Sequence, residues 1–341
     1  MRRVRRIRVG VVGVGLQGEN HLKVYSVNPA VEIAAVADVN EARLQEVSTK
    51  YPVKAAYTSY LEMLKREDLD LVSVATPDFA HKEPSVEAME RGVNVVVEKP
   101  MATSVEDAEE MVRASKREGV ILYVNFSNRW NPLFAITKER LDRGELGSPR
   151  YAYLRLSDTI YVPTKMISWA SKTNVVYFLM SHTADLARWL FSDEVSRVRA
   201  WAGEGLLKSM GVDTFDYVVA VLEFRGGGRA VLESAWILPE GMPCVVDFKF
   251  ELLCTKGAVN VDARFHGIEV ARDRLEYPRY LVFSTIRGRP YGACKESLDH
   301  VVSCVVEGRE PDVKPEDGLA NTKVLCAIVE SIKRGAEVEL S

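Results

Sequence analysis

The sequence predicts an α/β fold in two parts: a doubly wound parallel sheet first, then an α+β domain with a large, mostly antiparallel open sheet. Three observations carry that prediction. Through residue 125, short β-branched runs alternate with amphipathic helical stretches, the pattern of βαβ units. A glycine-rich turn, Gly13 to Gly18, joins the first run to the first helical stretch. After Asn131-Pro132 the runs lengthen and alternate polar with apolar residues, as in a sheet with one wet face. At 341 residues the chain exceeds what one hydrophobic core usually organises, so residues 1–125 and 126–341 are expected to fold as separate domains.

Taken in order, strands are expected at Ile7 to Val12, Val31 to Ala37, Leu69 to Ala75, Val93 to Val97 and Val120 to Val124. Helices are expected at Leu16 to Val27, Glu41 to Lys50, Ser59 to Lys65, Lys82 to Arg91 and Ser104 to Glu118, with Gly92 and Gly119 as stops. In the second block a helix runs to about Leu141. Strands follow at Arg150 to Leu156, Tyr217 to Phe224, Arg229 to Trp236 and Val246 to Cys254, and Gly226-Gly227-Gly228 forms a hairpin turn. One amphipathic helix spans Val175 to Leu190, and helices at Cys294 to Val306 and Pro315 to Arg334 close the chain.

Composition bounds the function. With 47% hydrophobic and 27% charged residues the chain reads as globular, and a net charge of −3 supplies no field to gather nucleic acid or an anionic membrane. The arginine-rich start, Met1 to Arg8, is followed by an apolar run too short and too interrupted for an export signal. No stretch approaches the roughly 18 apolar residues that span a bilayer. The five cysteines lack CxxC spacing and read as reduced thiols, and the five histidines are scattered, so a cytoplasmic protein without a metal site is expected.

The chemistry sits at strand ends. Gly13, Gly15 and Gly18 follow a strand and open a helix. Such glycines make the tight turn, admit a pyrophosphate and allow close helix packing, while the amides around Leu16 and Gln17 face the anion. This marks the first block as a Rossmann-type dinucleotide-binding domain. Asp38 ends the second strand 20 residues after Gly18, where a carboxylate accepts from ribose hydroxyls and repels a 2′-phosphate, favouring NAD over NADP. Capping of the following helix is the competing role for Asp38. Thr76 and His81 lie on the loop after the strand near residue 75, and Glu98-Lys99-Pro100 ends the next strand; all are candidate cofactor contacts at the ligand-binding edge. Asp78 and His81 could equally be helix-capping residues.

In this order the motifs resemble those of the glucose-fructose oxidoreductase, inositol dehydrogenase and MocA (Gfo/Idh/MocA) family, largely sugar and cyclitol dehydrogenases. The likeness extends to Asn128-Arg129-Trp130-Asn131-Pro132, to Ser181-His182-Thr183-Ala184-Asp185 and to Pro315-Glu316-Asp317-Gly318-Leu319. It implies that Lys99 binds the reacting hydroxyl and the cofactor and that His182 is the general base. Asn128, Arg129 and Asp185 become candidates for holding a polyol. One departure stands out: the family's aspartate four residues before the histidine is Phe178 here, and its usual glycine is Met180. Asp185, one turn after His182, is a substitute orienter, and Tyr161, Lys165, Trp169, Tyr177 and Tyr291 are further loop or helix candidates. The expected function is NAD-dependent hydride transfer at a secondary hydroxyl or ketone of a sugar, cyclitol or derivative, by a homodimer or homotetramer packed through the second sheet. The alternatives are a catalytically silent dinucleotide sensor, for which the missing aspartate argues, and an oxidoreductase of another substrate class.

Overall fold

The computed structural model describes residues 6–340, so most of the arginine-rich start, through Arg5, lies outside the described residues. Two compact units are present: the chain up to Ser127 with Phe283–Leu319, and Asn128–Val282 with the chain from Ala320.

The first unit contains β1 (Ile7–Val12), α1 (Leu16–Val27), β2 (Val31–Ala37), α2 (Glu41–Lys50), β3 (Ala55–Tyr57), α3 (Tyr60–Arg66), β4 (Leu71–Val74), α4 (Lys82–Met89), β5 (Asn94–Val97), α5 (Val105–Glu118) and β6 (Leu122–Val124). The strands pair in parallel in the order β3-β2-β1-β4-β5-β6, the doubly wound arrangement in which direction reverses at β1/β4. Strand interiors such as Val9, Val11, Val72, Val95 and Val96 are fully buried, as a sheet covered on both faces requires. Local chemistry sets the helix ends. Asn40 caps α2 by accepting from the amides of Ala42 and Arg43, Ser104 caps α5 at Asp107, and Gly119 ends α5 at φ +66°. The short edge strand β3 escaped the sequence reading because three half-exposed residues carry no periodicity.

The second unit begins with α6 (Pro132–Asp142), β7 (Pro149–Asp158) and α7 (Ser181–Phe191), and continues through β8 (Val195–Gly203), α8 (Leu206–Ser209), β9 (Tyr217–Phe224), β10 (Arg229–Ala235), β11 (Val246–Cys254) and β12 (Ala258–Asp262). The small strands β13 (Val270–Ala271) and β14 (Leu275–Glu276) follow in the same unit, and β15 (Ser284–Ile286) and β16 (Arg289–Tyr291) belong to the first. Helices α9 (Ala293–Glu307) and α10 (Pro315–Arg334) and strand β17 (Val338–Glu339) complete the chain. The large sheet runs β12-β11-β7-β10-β9-β8-β17, and only β7 and β10 pair in parallel. Its inner face packs Leu154, Ala220, Leu222, Leu232 and Phe250 against Met180, Leu186 and Leu190 of the α7 segment and Leu325 and Ile328 of α10.

Three expectations need correction. The division at residue 126 gives the helix near Cys294 to the second block, whereas α9 packs in the first unit. There Ser297 Oγ bonds Asn125 at 2.7 Å and the Tyr123 hydroxyl at 2.6 Å, and Asn28 donates to Asp299 at 2.7 Å. Periodicity shows that a helix has an apolar face but not which sheet it covers. The single helix Val175 to Leu190 is instead a π-helical turn, Val176–Met180, followed by α7. Strand β8 was missed because a register shift between Val195 and Arg197 breaks its alternation.

Trp236 is fully buried and meets Phe178 edge-to-face at 5.4 Å between centroids. Trp236→Ala is expected to cost the second unit about 3–5 kcal/mol. Urea denaturation checks this, and a loss under about 1 kcal/mol contradicts the packing.

Candidate active site

The loop from β1 to α1 is shaped by its glycines. Gly13 sits at φ +81°, and a Cβ there would come within 2.8 Å of the Ala75 and Thr76 backbone. A Cβ on Gly18 would lie 1.9 Å from the Gly13 carbonyl oxygen, so α1 can approach β1 only without a side chain at that position. Gly15 differs, since a Cβ there meets nothing within 4 Å. No side chain caps α1 at Gly15, and Gly15, Leu16 and Gln17 are exposed. The first-turn amides thus face open space with the positive end of the helix dipole behind them, a fit for a dinucleotide pyrophosphate.

Asp38 closes this loop from the side. Its carboxylate accepts from Val14 N at 2.8 Å and from Asn40 N at 2.9 Å, and the cap of α2 is Asn40 rather than Asp38. A carboxylate offers about four acceptor sites, so these two bonds leave capacity for ribose hydroxyls. Arg43 donates to Val14 O through Nε and Nη2 and pairs with Glu19, holding the loop from α2.

At the ends of β4, β5 and β6 lies a buried polar chain that the sequence reading missed in part. Glu98, 8% exposed, meets His21 Nε2 at 2.9 Å and accepts from Asn125 Nδ2 at 2.6 Å. His21 Nδ1 lies 2.5 Å from Ser73 Oγ, to which the Tyr25 hydroxyl also donates. Burial alone would raise the Glu98 pKa, but the hydrogen bond and charge of His21, with help from Lys99 and Asn125, pull it down to about 2. Glu98 is therefore a fixed anion beside half-buried Lys99. The only sequence signal for His21 was a polar residue on the buried face of α1.

His81 and Thr76 turn out to be tied up within the loop. The His81 ring is buried, with Nδ1 2.7 Å from Pro100 O and Nε2 3.0 Å from Thr76 O, and burial lowers its pKa. The Thr76 hydroxyl donates to Ala80 O at 2.8 Å. His81 thus clamps the Thr76 loop to the Lys99-Pro100 segment through two carbonyls.

In the second unit, Asn128 lies on a 3-10 turn, Ser127–Trp130, and is 7% exposed. Its side-chain amide donates to His182 Nδ1 on α7 at 3.2 Å. Arg129 and Asp185, expected to hold substrate, form a bidentate pair with each other at 2.6 and 3.0 Å, almost wholly buried. The Arg129 guanidinium also lies 5.8 Å from the Trp189 ring centroid. Both charges are satisfied there, so the pair reads as a brace for α7. Phe178 packs on Trp169 and Trp236, Lys165 pairs with Glu240 at 2.7 Å, and Tyr161 and Tyr291 are exposed. Among the described residues, no group of three or more His, Cys, Asp or Glu side chains could hold a metal, and no helix is long and apolar enough to cross a membrane.

Two family models match: the oxidoreductase family NAD-binding Rossmann fold over residues 7–126, and the GFO/IDH/MocA C-terminal domain over residues 134–260. The chain belongs to the Gfo/Idh/MocA oxidoreductase family. Its first unit is the family's NAD-binding domain, and NAD is its cofactor. Among its relatives are the scyllo-inositol 2-dehydrogenase (NAD(+)) of Bacillus subtilis strain 168, 27% identical over 98% of this chain and 96% of that one, and the myo-inositol 2-dehydrogenase of Thermotoga maritima, 27% identical over 98% of both. Among solved structures, scyllo-inositol dehydrogenase from Lactobacillus casei, crystallised with NAD(H) and scyllo-inositol, superposes with a TM-score of 0.85 at 18% identity, covering 98% of this chain and 99% of that one.

Gly15 and Gly18 make separable predictions. Gly15→Val should leave the thermal midpoint within about 2 °C while weakening NAD binding at least about tenfold, because its side chain enters only the space above the helix start. Gly18→Ala should unfold the first unit at markedly lower temperature. Thermal scans with an NAD fluorescence titration check both, and equal stability losses in the two variants would contradict the assignment.

Proposed function

We propose that the protein transfers hydride between NAD and a secondary hydroxyl or ketone of a sugar, cyclitol or sugar derivative, with His182 as acid/base and Lys99 polarising the reacting oxygen. The observation that carries this reading is the near full-length likeness to two inositol dehydrogenases, which spans both units rather than the dinucleotide domain alone. When bound, NAD supplies the hydride acceptor or donor. The chain's own part is protonic and electrostatic. An imidazole titrates near neutral pH and can take the hydroxyl proton as the carbon loses hydride, and an ammonium at position 99 stabilises charge growing on that oxygen. Glu98, fixed as an anion and tied to α1 and β6, holds the strand end that carries Lys99.

Asn128 was expected to touch substrate along with Arg129 and Asp185; with the latter two paired, the polyol contacts fall to other groups. The outer face of the large sheet bears Tyr151, Trp201, Tyr217 and Leu253, all exposed, and we assign it to packing against a second copy in a homodimer or homotetramer. The five cysteines are free thiols, which suits the cytoplasm, the compartment this reading favours.

Absorbance at the NADH band, with NAD and a panel of inositols, sugars and sugar acids, tests the activity. Turnover should fall about 10²–10⁴-fold in His182→Ala and in Lys99→Ala, with NAD affinity in His182→Ala near wild type. Full activity in His182→Ala would defeat the assignment, and NAD binding without turnover of any polyol would favour the silent sensor. Light scattering tests the assembly: Trp201→Glu with Tyr217→Glu should yield monomers, and a monomeric wild type refutes the sheet interface.

A further inference from the structure

We infer that Asn128 is the positioning residue of His182, holding the imidazole through Nδ1 with an uncharged partner where a carboxylate would otherwise serve. The inference rests on the proposed acid/base role of His182 and concerns how that role is tuned.

The geometry narrows the choice of partner. Asn128 is buried on the turn before α6 and reaches Nδ1 at 3.2 Å. On the helix of His182 itself, Asp185 is committed to Arg129 by two short bonds, so its charge is already neutralised by a guanidinium. Four residues earlier, Phe178 turns its ring to Trp169 and Trp236. The π-helical turn Val176–Met180 also offsets that segment from regular α-helical stacking on His182. From α10, the neutral Asn321 donates to Ser181 O at 3.0 Å. Of the groups just named, the charged ones are Arg129 and Asp185, which pair with each other.

A carboxamide partner has two consequences. It carries both a donor and an acceptor, which exchange places by a half-turn of the side chain's last torsion. With Nδ2 toward the ring it donates to a bare Nδ1. With Oδ1 toward the ring it accepts from Nδ1–H, in the neutral ring whose Nε2 can take a proton and in the imidazolium alike. In that second arrangement the bare Nε2 of the neutral ring would take the substrate O–H proton as the alcohol is oxidised to the ketone, NAD, when bound, being the group that accepts the hydride. The amide also adds no negative charge beside the ring, so it does not hold the imidazolium on to higher pH as a carboxylate would.

The test uses the intact protein labelled with ¹⁵N-histidine, the His182 ring being assigned by its loss in His182→Asn. In Asn128→Asp the His182 titration should move upward by about one unit or more. In Asn128→Ala the Nδ1 resonance should shift as the ring loses its hydrogen-bond partner. With the panel polyol turned over fastest, myo- or scyllo-inositol being the first probes, the acid limb of kcat/KM in Asn128→Asp should move up by the same amount. Asn128→Ala should lower kcat about tenfold or more with KM little changed. A folded Asn128→Asp protein with wild-type NAD affinity whose His182 titration or kinetic limb stays in place overturns the inference. If Asn128→Asp does not fold, an unaltered Nδ1 resonance in Asn128→Ala overturns it. Should no polyol be turned over, the ring measurements still decide the partnership while the dehydrogenase reading falls by itself.

Discussion

A carboxylate buried at the carboxyl edge of the parallel sheet is the constraint around which the first unit is organised. Glu98 stays charged away from water because His21 and Asn125 meet it and the Lys99 charge lies beside it, and His21 and Asn125 each need a further partner. Ser73 answers for His21, and Ser297 answers for Asn125. One anion thereby ties together α1 directly behind the glycine loop, the ends of β4, β5 and β6, and the returning helix α9. Side chains that do not face the dinucleotide loop still fix where its helix begins and where Lys99 leaves its strand.

The second unit solves a different problem. A large sheet open on one face gives little rigidity to the helix laid on the other, and α7 carries the His182 imidazole. The Arg129–Asp185 pair supplies the brace, since a nearly buried bidentate ion pair is costly to break once formed. The aromatic cluster of Trp169, Phe178 and Trp236 anchors the π-helical turn that leads into α7. The small amide of Asn128 meets the His182 ring at Nδ1.

Much of this was written locally in the chain. The glycine loop was legible because positive φ and close helix approach admit few residues. α2 and α5 were legible because their periodicity and caps agree with their environment, and β9 because its alternation does. The strand-end positions of Asp38 and of Glu98-Lys99 follow from the same alternation. What the sequence by itself determined was therefore the class of fold and the dinucleotide loop, and through the family resemblance it nominated Lys99 and His182 as candidates.

Tertiary structure decided who partners whom. Nothing local shows that Arg129 and Asp185, 56 residues apart, neutralise each other, that His81 spends both nitrogens on backbone carbonyls, or that Ser297 completes a network begun at His21. It alone returned α9 to the first unit and broke the α7 segment with a π-helical turn. The reason is physical: backbone conformation is set mainly by near neighbours in sequence, whereas hydrogen bonds and ion pairs among buried groups are set by whatever the fold brings within about 3 Å.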